Sequence, residues 1–259
     1  MIPYYSDNLV TLYHGDCLEI MPNLEVTFDA CITDPPYGTT ACKWDSVIPF
    51  EQMWESLKIL VKKNGAICLF GSEPFSSALR MSNIKEFKYD WIWVKNTQTG
   101  MMSSGKIPMK KHEIISVFYA SGVTFNERLV LGSLISQNHA QKGYSYKNKR
   151  SSIYDVSGGK CFKWSKFIHA NTILTFNVVG NRDKEKFHST QKPVALIEYL
   201  IKTYTNEGEI VLDFASGSGT TGIACKNTGR RCVLIEKEES YCELSAKRLE
   251  KNTTQPELF

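Results

Sequence analysis

Two turns carry the residue types that could do chemistry. The first is Asp34-Pro35-Pro36-Tyr37, which ends the apolar, β-branched run 28–33. Its two prolines remove two backbone donors and stiffen the chain, so the Asp34 carboxylate and the Pro35 carbonyl are left as acceptors without a competing N–H. Tyr37 adds a flat ring beside them. Acceptors next to a stacking face suit an amino group on a planar ring, such as the exocyclic amine of a nucleobase. On its own the tetrapeptide reads equally well as a structural proline turn. The second turn is Gly217-Ser218-Gly219-Thr220-Thr221-Gly222, a G-x-G-x-x-G pattern between an expected strand over 209–213 and an expected helix over 220–227. The next strand, 232–235, runs into Glu236, about twenty residues past the first glycine, where an acid can take both hydroxyls of an adenosine ribose. The simpler alternative is a tight turn followed by a surface glutamate.

The elements around these turns alternate between short β-branched or aromatic runs and helical patterns, as in a mostly parallel sheet with helices on both faces. Strands are expected over 11–14, 28–33 and 66–70. A helix over 49–62 is expected from Phe50, Met53, Trp54, Leu57, Leu60 and Val61, which share one helical face, with Asn64-Gly65 ending it. A second helix follows near 74–81. Runs 89–94 and 114–119 have no clear helix between them, so they read as an antiparallel pair at the sheet edge. Alternation returns with helices over 194–204, 220–227 and 238–249 and strands over 209–213 and 232–235. The stretch 252–259 reads as a frayed tail.

Composition narrows the class. With 259 residues, 42% apolar and 22% charged, the chain can bury a core, which excludes disorder, collagen-like repeats and a disulfide-stapled miniprotein. The net charge of +4 allows an anionic partner without demanding one. Eight cysteines form no C-x-x-C pair and have no histidine at zinc-finger spacing, so no metal site is expected. Cys31 and Cys68 lie in apolar runs and read as buried thiols in a reducing compartment. No apolar run approaches the roughly 18 residues of a membrane span, and no secretory leader is visible. An intracellular location, cytoplasmic or associated with the nucleoid, is the expectation.

Between 122 and 187 the periodicity fades. Between 140 and 170, Lys142, Lys147, Lys149, Arg150, Lys160, Lys163 and Lys166 stand against Asp155, interleaved with Tyr144, Tyr146, Tyr154, Phe162, Trp164 and Phe167. Cations with aromatics suit phosphate contacts and base stacking. A solvated loop with a small satellite core fits the same composition.

Cofactor choice follows from chain order. Dinucleotides and S-adenosyl-L-methionine share the strand, glycine turn, helix, strand and acid arrangement. A dinucleotide fold must still build most of its sheet after this unit, yet the chain beyond Gly222 suffices for one strand and one helix. The nucleotide half therefore closes the chain and the other half begins it, an inverted order that counts against ordinary dehydrogenases.

Taken together, His14-Gly15-Asp16-Cys17, 33–38 around Asp34-Pro35-Pro36-Tyr37, His188-Ser189-Thr190-Gln191-Lys192-Pro193 and 213–221 resemble the circularly permuted beta group of DNA amino-methyltransferases. The spans 44–48 and Lys111-His112-Glu113 are similar to phage-borne and prophage-borne members. The resemblance covers nearly the whole chain. It implies a single Rossmann-like α/β methyltransferase domain over 1–259, with an inserted target-recognition region at about 122–187. It implies S-adenosyl-L-methionine as cofactor, held by Asp16, Cys17, Asp34, Lys192, Asp213, Phe214, Ala215, Ser216, Gly217, Ser218, Gly219, Thr220 and Glu236. Asp16 and Cys17 would approach the adenine, Lys192 the methionine carboxylate and Glu236 the ribose. Asp34, Pro35, Pro36 and Tyr37 would be the catalytic set, with Tyr37 stacking on a flipped base. Double-stranded DNA is the implied partner, contacted by Lys142, Lys147, Lys149, Arg150, Lys160 and Lys163. A homodimer and a cognate restriction endonuclease are compatible with the resemblance, whereas a membrane or a metal is not implied. One departure stands out: the family often has Asp-Pro-Phe-x-Gly-Ser-Gly, and here Phe214-Ala215 replaces Pro-Phe.

The expected reaction is methyl transfer to N6 of adenine. Transfer to N4 of cytosine uses the same chemistry, although that specificity more often resembles Ser-Pro-Pro-Tyr. RNA and protein-glutamine methyltransferases share related turns but usually place the cofactor motif first. A non-catalytic DNA-binding module would not need Asp34, the glycine turn and Glu236 together. Among the other polar residues, His112, His139 and His169 read as surface or core histidines. Asp45 reads equally as a channel-lining acid or a surface acid, and Trp54 as core.

Overall fold

Apolar β-branched runs bounded by glycine, proline or charge form the strands, and the 3.6-residue apolar spacing forms the helices that cover them. The computed structural model describes residues 1–39, 45–101, 104–127, 130–131, 167–168, 171–180 and 191–253. Strands β1 (Tyr5–Ser6) and β2 (Val10–His14) lead through the short helix α1 (Cys17–Ile20) to β3 (Phe28–Thr33). Then come α2 (Phe50–Leu60), β4 (Val61–Gly71), α3 (Phe75–Ser82), β5 (Phe87–Thr99) and β6 (Lys110–Phe118). The short strands β7 (Val130–Leu131), β8 (Phe167–Ile168) and β9 (Ile173–Thr175) follow. The chain continues through α4 (Val194–Tyr204), β10 (Ile210–Asp213), α5 (Thr220–Asn227), β11 (Arg231–Glu236) and α6 (Glu239–Thr253).

Among the described residues, nine strands make one sheet in the order β1-β2-β11-β10-β3-β4-β6-β5-β9. From β2 to β4 every pairing is parallel, while β6 runs antiparallel to both β4 and β5. The described residues form two compact units, Met1–Asn126 with Thr172–Phe259, and Glu127–Asn171. Within the second, β7 pairs antiparallel with β8.

Helix α2 buries Met53, Trp54, Leu57 and Leu60, the face its spacing predicts. Trp54 packs on Phe118 with ring centroids 4.8 Å apart and donates its indole N–H to Ser82 at 2.8 Å. Each such large apolar side chain contributes about 1.5–3 kcal/mol by leaving water. Helix α4 buries Leu196, Ile197, Leu200, Ile201 and Tyr204, and the Tyr204 hydroxyl accepts from Trp91 at 2.6 Å.

Several boundaries depart from expectation: β5 runs on to Thr99 and α6 to Thr253, past the 94 and 249 expected, so the stretch expected as a tail from 252 begins in helix. The helix expected over 49–62 stops at Leu60, because Val61 is already paired with Phe28 and Lys62 reaches Asp29 at 2.5 Å. At Gly65 a Cβ would lie 2.7 Å from the Asp29 carbonyl, so the glycine serves close strand approach rather than helix termination. The pair expected over 89–94 and 114–119 is antiparallel, but β9 adds in parallel outside β5, so the pair is not the sheet edge. Among the described residues no helix is long and apolar enough to cross a membrane.

Candidate active site

Because β2, β11, β10, β3 and β4 are parallel, their carboxyl ends share one edge, which is where an open α/β sheet receives ligands. A cavity of about 290 Å³ opens there, lined by residues from both chemical turns. Of the residues expected from sequence, Asp16, Cys17, Asp34, Pro35, Pro36, Tyr37, Lys192, Asp213, Phe214, Ala215, Ser216, Gly217, Ser218, Thr220 and Glu236 lie on its wall. Gly219 is not among the lining residues and packs against Ser245. Lys142, Lys147, Lys149, Arg150, Lys160 and Lys163 lie outside the described residues, as do His188 and Thr190 of the Lys192 motif.

The glycine turn is held from beneath. Gly217 and Gly219 have φ of +51° and +73°, and a Cβ on Gly219 would meet Ser245 at 2.9 Å. Only glycine takes that conformation without strain. The Ser245 hydroxyl donates to the Gly217 carbonyl at 2.9 Å, and Arg248 donates to the Ser218 carbonyl. Glu236 closes the turn from β11: one oxygen accepts from Gly217 N–H at 2.6 Å and the other from Glu238 N–H at 2.9 Å. Burial raises its pKa against the pull of these backbone donors. Asp213, at the end of β10, accepts from the Thr221 hydroxyl at 2.6 Å and Ala215 N–H at 3.3 Å. Burial nevertheless lifts its pKa to about 7. The hydroxyls of Ser216 and Thr220, both on the cavity wall, are buried without a hydrogen-bond partner. An orphaned buried hydroxyl costs about 1–3 kcal/mol, so this cradle is built for a polar ligand.

On the neighbouring wall Asp16 caps α1, accepting from Leu18 N–H at 2.9 Å, and pairs with Lys237 at 2.9 Å. Cys17 is buried in the core beneath, where burial and the nearby Asp16 push its thiol up to about 12. It is a packing residue in character.

The Asp34 turn is tied down by a nearby loop residue, Asp45, and by Lys192 from far along the sequence. Asp45 accepts from the backbone N–H of Tyr37 and Gly38 at 2.8 Å each, and from Thr39 at 2.9 Å. Asp45 is therefore the anchor of the turn, a role its sequence context did not reveal. The Tyr37 hydroxyl donates to Asp34 Oδ1, and its ring stacks on Phe75 with centroids 5.1 Å apart. Burial and the adjacent Asp34 charge raise the Tyr37 phenol well above its ordinary value. Lys192 donates to Asp34 Oδ2 and lies 3.3 Å from Glu113 of β6. Lys95 of β5 donates to the other Glu113 oxygen. Lys192 thus sits on carboxylates of the catalytic turn and of β6. Burial disfavours its charge, but Asp34 and Glu113 outweigh that and raise its pKa.

Sequence reading missed Glu113 and Lys95 as site residues. Their signal exists only once the strands are in register: Trp93 faces Glu113 across the β5–β6 pair, which makes Lys95 the diagonal neighbour on the same face. Phe70, under Lys192 with its ring centroid 5.2 Å from Nζ, was read only as a strand residue.

A nucleotide-type cradle and an amine-accepting carboxylate turn on one cavity define a methyltransferase of amino groups. Residues 28–247 match the N6_N4_Mtase family, described as DNA methylase, and the chain belongs to that family. The cofactor of such enzymes is S-adenosyl-L-methionine. The chain is similar to Type II methyltransferase M2.DpnII of Streptococcus pneumoniae, 27% identical over 96% of this chain and 92% of that protein. It is also similar to DNA adenine methyltransferase YhdJ of Escherichia coli (strain K12), 25% identical over 95% of this chain and 84% of the relative. Among solved structures, the M1.HpyAVI-SAM complex superposes with a TM-score of 0.63 at 26% identity, covering 93% of this chain and all of that one. Among the described residues no cluster of three or more His, Cys, Asp or Glu could hold a metal.

Proposed function

We propose that this chain transfers a methyl group from S-adenosyl-L-methionine to N6 of adenine in double-stranded DNA. The observation that carries the reading is the placement of the Asp34-Pro35-Pro36-Tyr37 turn and the glycine cradle on one cavity. We further read the chain as circularly permuted, since β3 with its catalytic turn precedes β10 and the glycine turn in sequence while lying beside β10 in the sheet. The region at about 122–187 is assigned to target recognition on its basic and aromatic composition.

The residues of the cradle fit the cofactor. Ser216 and Thr220 supply unpaired hydroxyls, Glu236 keeps a second lone pair on each oxygen for ribose hydroxyls, and Asp16, on the neighbouring wall, is left for the adenine. Bound there, S-adenosyl-L-methionine supplies an electrophilic methyl group. The target amine is hidden in a duplex, so its nucleotide must be flipped into the cavity. Asp34 and the Pro35 carbonyl accept the two amino hydrogens, which draws the nitrogen lone pair out of conjugation with the ring. Each Asp34 oxygen already accepts one bond, from Tyr37 or Lys192, and retains a further acceptor site. With one ring face on Phe75, Tyr37 offers its other face to the base. Fixed acceptors in a dry site supply most of the rate enhancement, and Asp34 or water receives the proton.

Support for adenine over cytosine comes from Asp34 at the head of the turn and from the adenine-specific name of the Escherichia coli relative; the family model spans both amines. The test is to incubate the protein with labelled cofactor and unmethylated genomic DNA, then identify the labelled nucleoside by mass spectrometry. N6-methyladenine is expected. N4-methylcytosine would keep the chemistry and overturn the base assignment, and no label in DNA would overturn the substrate.

A further inference from the structure

Lys192 pairs with Asp34 in the catalytic turn, but it is also held by Glu113 from β6, a strand whose other side chains do not reach the cavity wall. Glu113 of β6 lies between Lys192, 3.3 Å away, and Lys95, so that Lys95, Glu113, Lys192 and Asp34 alternate in charge from β5 into the catalytic turn. The group is largely withdrawn from water: side-chain exposure is 10% for Lys95, 15% for Glu113 and 8% for Lys192, rising to 27% at Asp34 where the cavity opens. The charges balance, as burial requires, since an unpaired buried charge is far costlier than a paired one.

The remaining titratable neighbours come from other elements: Tyr37 on Asp34, Asp45 beneath the turn and Asp213 at the end of β10. The Phe70 ring closes the apolar side of Lys192. None of these replaces Glu113 as a second anion in contact with Lys192. With Glu113 neutral, Lys95 and Lys192 would be two buried cations with Asp34 as the remaining contacting anion.

We infer that Glu113 is a positioning residue for methyl transfer: it holds Lys192 against Asp34, so that the carboxylate of the catalytic turn presents a fixed free acceptor to the target amine. The inference rests on the proposed DNA methylation and assigns Lys192 to the target side of the cavity rather than to the cofactor's methionine carboxylate. Glu113 is in ion-pair contact with Lys192 and Lys95. It acts through Lys192, and Lys95 balances it from behind.

The two buried partners give opposite signs. Glu113→Gln removes an anion from Lys192, making its proton easier to lose, so activity that needs the cation should fall at a lower pH than in the wild type. Lys95→Met removes the competing cation, leaves Glu113 to Lys192 alone, and should move the same basic limb to higher pH. The experiment is single-turnover methylation of DNA with labelled cofactor from pH 6 to 10.5 for the full chain and both variants, with cofactor Kd measured alongside. Because Lys192 titrates above its ordinary 10.5 in the wild type, the wild type and Lys95→Met should hold their rate to the top of this range, whereas Glu113→Gln should bring a basic limb about one unit lower into it and lose several-fold between about pH 8.5 and 10.5, with cofactor Kd changed less than about threefold. The retained affinity shows that the variants fold. A purely structural role would scale the profile without moving it. A Glu113→Gln profile with no limb in this range, or a limb that enters the range in Lys95→Met as well, would overturn the inference. A tenfold or larger loss of cofactor affinity in Glu113→Gln would overturn it as well, by returning Lys192 to the cofactor. A wild-type protein that labels no DNA overturns the proposed substrate and this inference with it.

Discussion

The two walls of the cavity are built in different ways. The glycine cradle is held mainly by its own neighbourhood: Thr221, Glu236, Ser245 and Arg248 all follow within the same strand, helix, strand and helix, and Thr33 of β3 adds a bond from Phe214 N–H. The Asp34 turn is held by a loop residue, Asp45, by Lys192 from beyond the second compact unit, and through Lys192 by Glu113. A ligand that must be bound and released can rest on a loop held chiefly by the elements that follow it. A reacting carboxylate needs several elements to fix its direction, and errors in any of them reach the chemistry.

Breaking each wall should therefore give a different signature. The largest effect is expected from Asp34→Ala, which should lower methylation by about a thousandfold while much of the cofactor affinity survives, as measured by single turnover and by equilibrium dialysis. Equal loss of both would erase the distinction between the walls.

The second effect is thermodynamic. Asp213 titrates at about 7 in the folded chain against an ordinary 3.8. Between those values the folded state binds the extra proton, so the contribution of this group to stability is full below about pH 4, declines as pH rises, and is flat above about 7. The stability difference between the wild type and Asp213→Asn in urea unfolding should change by on the order of 4 kcal/mol across that window, in favour of the variant at high pH. A constant difference would show that Asp213 stays ionised throughout.

Asp45→Ala should come next. It leaves three backbone N–H groups without their carboxylate, and hydrogen bonds to a charged group contribute about 1.5–3 kcal/mol each. Since water can replace part of this at an exposed turn, a fall in kcat of about tenfold is expected, with cofactor Kd unchanged. The smallest effect is Gly219→Ala, whose Cβ meets Ser245 at a left-handed φ. It should cost about 1–3 kcal/mol of stability by denaturant unfolding and weaken cofactor binding more than turnover at saturation.

The same contrast explains what could be read from sequence. The cradle is legible because its glycines, its acid and its alternation of strand and helix lie within one short window, where each residue's backbone demand is local. Asp34-Pro35-Pro36-Tyr37 is legible because the prolines state their own conformation. What holds that turn is not legible. Asp45 looks like any acid before a helix until its carboxylate is seen on three amides, and Glu113 looks like the polar start of an apolar strand until β5 and β6 are in register. The short helix α1 escaped because four residues show no period. Strand β9, three residues long, escaped for lack of any alternation.

One feature of the sheet reaches back to how the molecule is made. Strand β2, at the start of the chain, is zipped along its length to β11, from Val10 opposite Cys232 to His14 opposite Glu236, and β3 is likewise joined to β10. At synthesis rates of about 5–20 residues per second, the first strands wait tens of seconds for partners that have not yet left the ribosome. During that interval β2 lacks β11 and β3 has only β4 beside it, so Val10, Leu12, Ala30 and Ile32, all buried in the finished sheet, are incompletely covered. Nascent chains halted before residue 231 should therefore remain protease-sensitive and engage chaperones, and resistance should appear abruptly once 231–236 emerge.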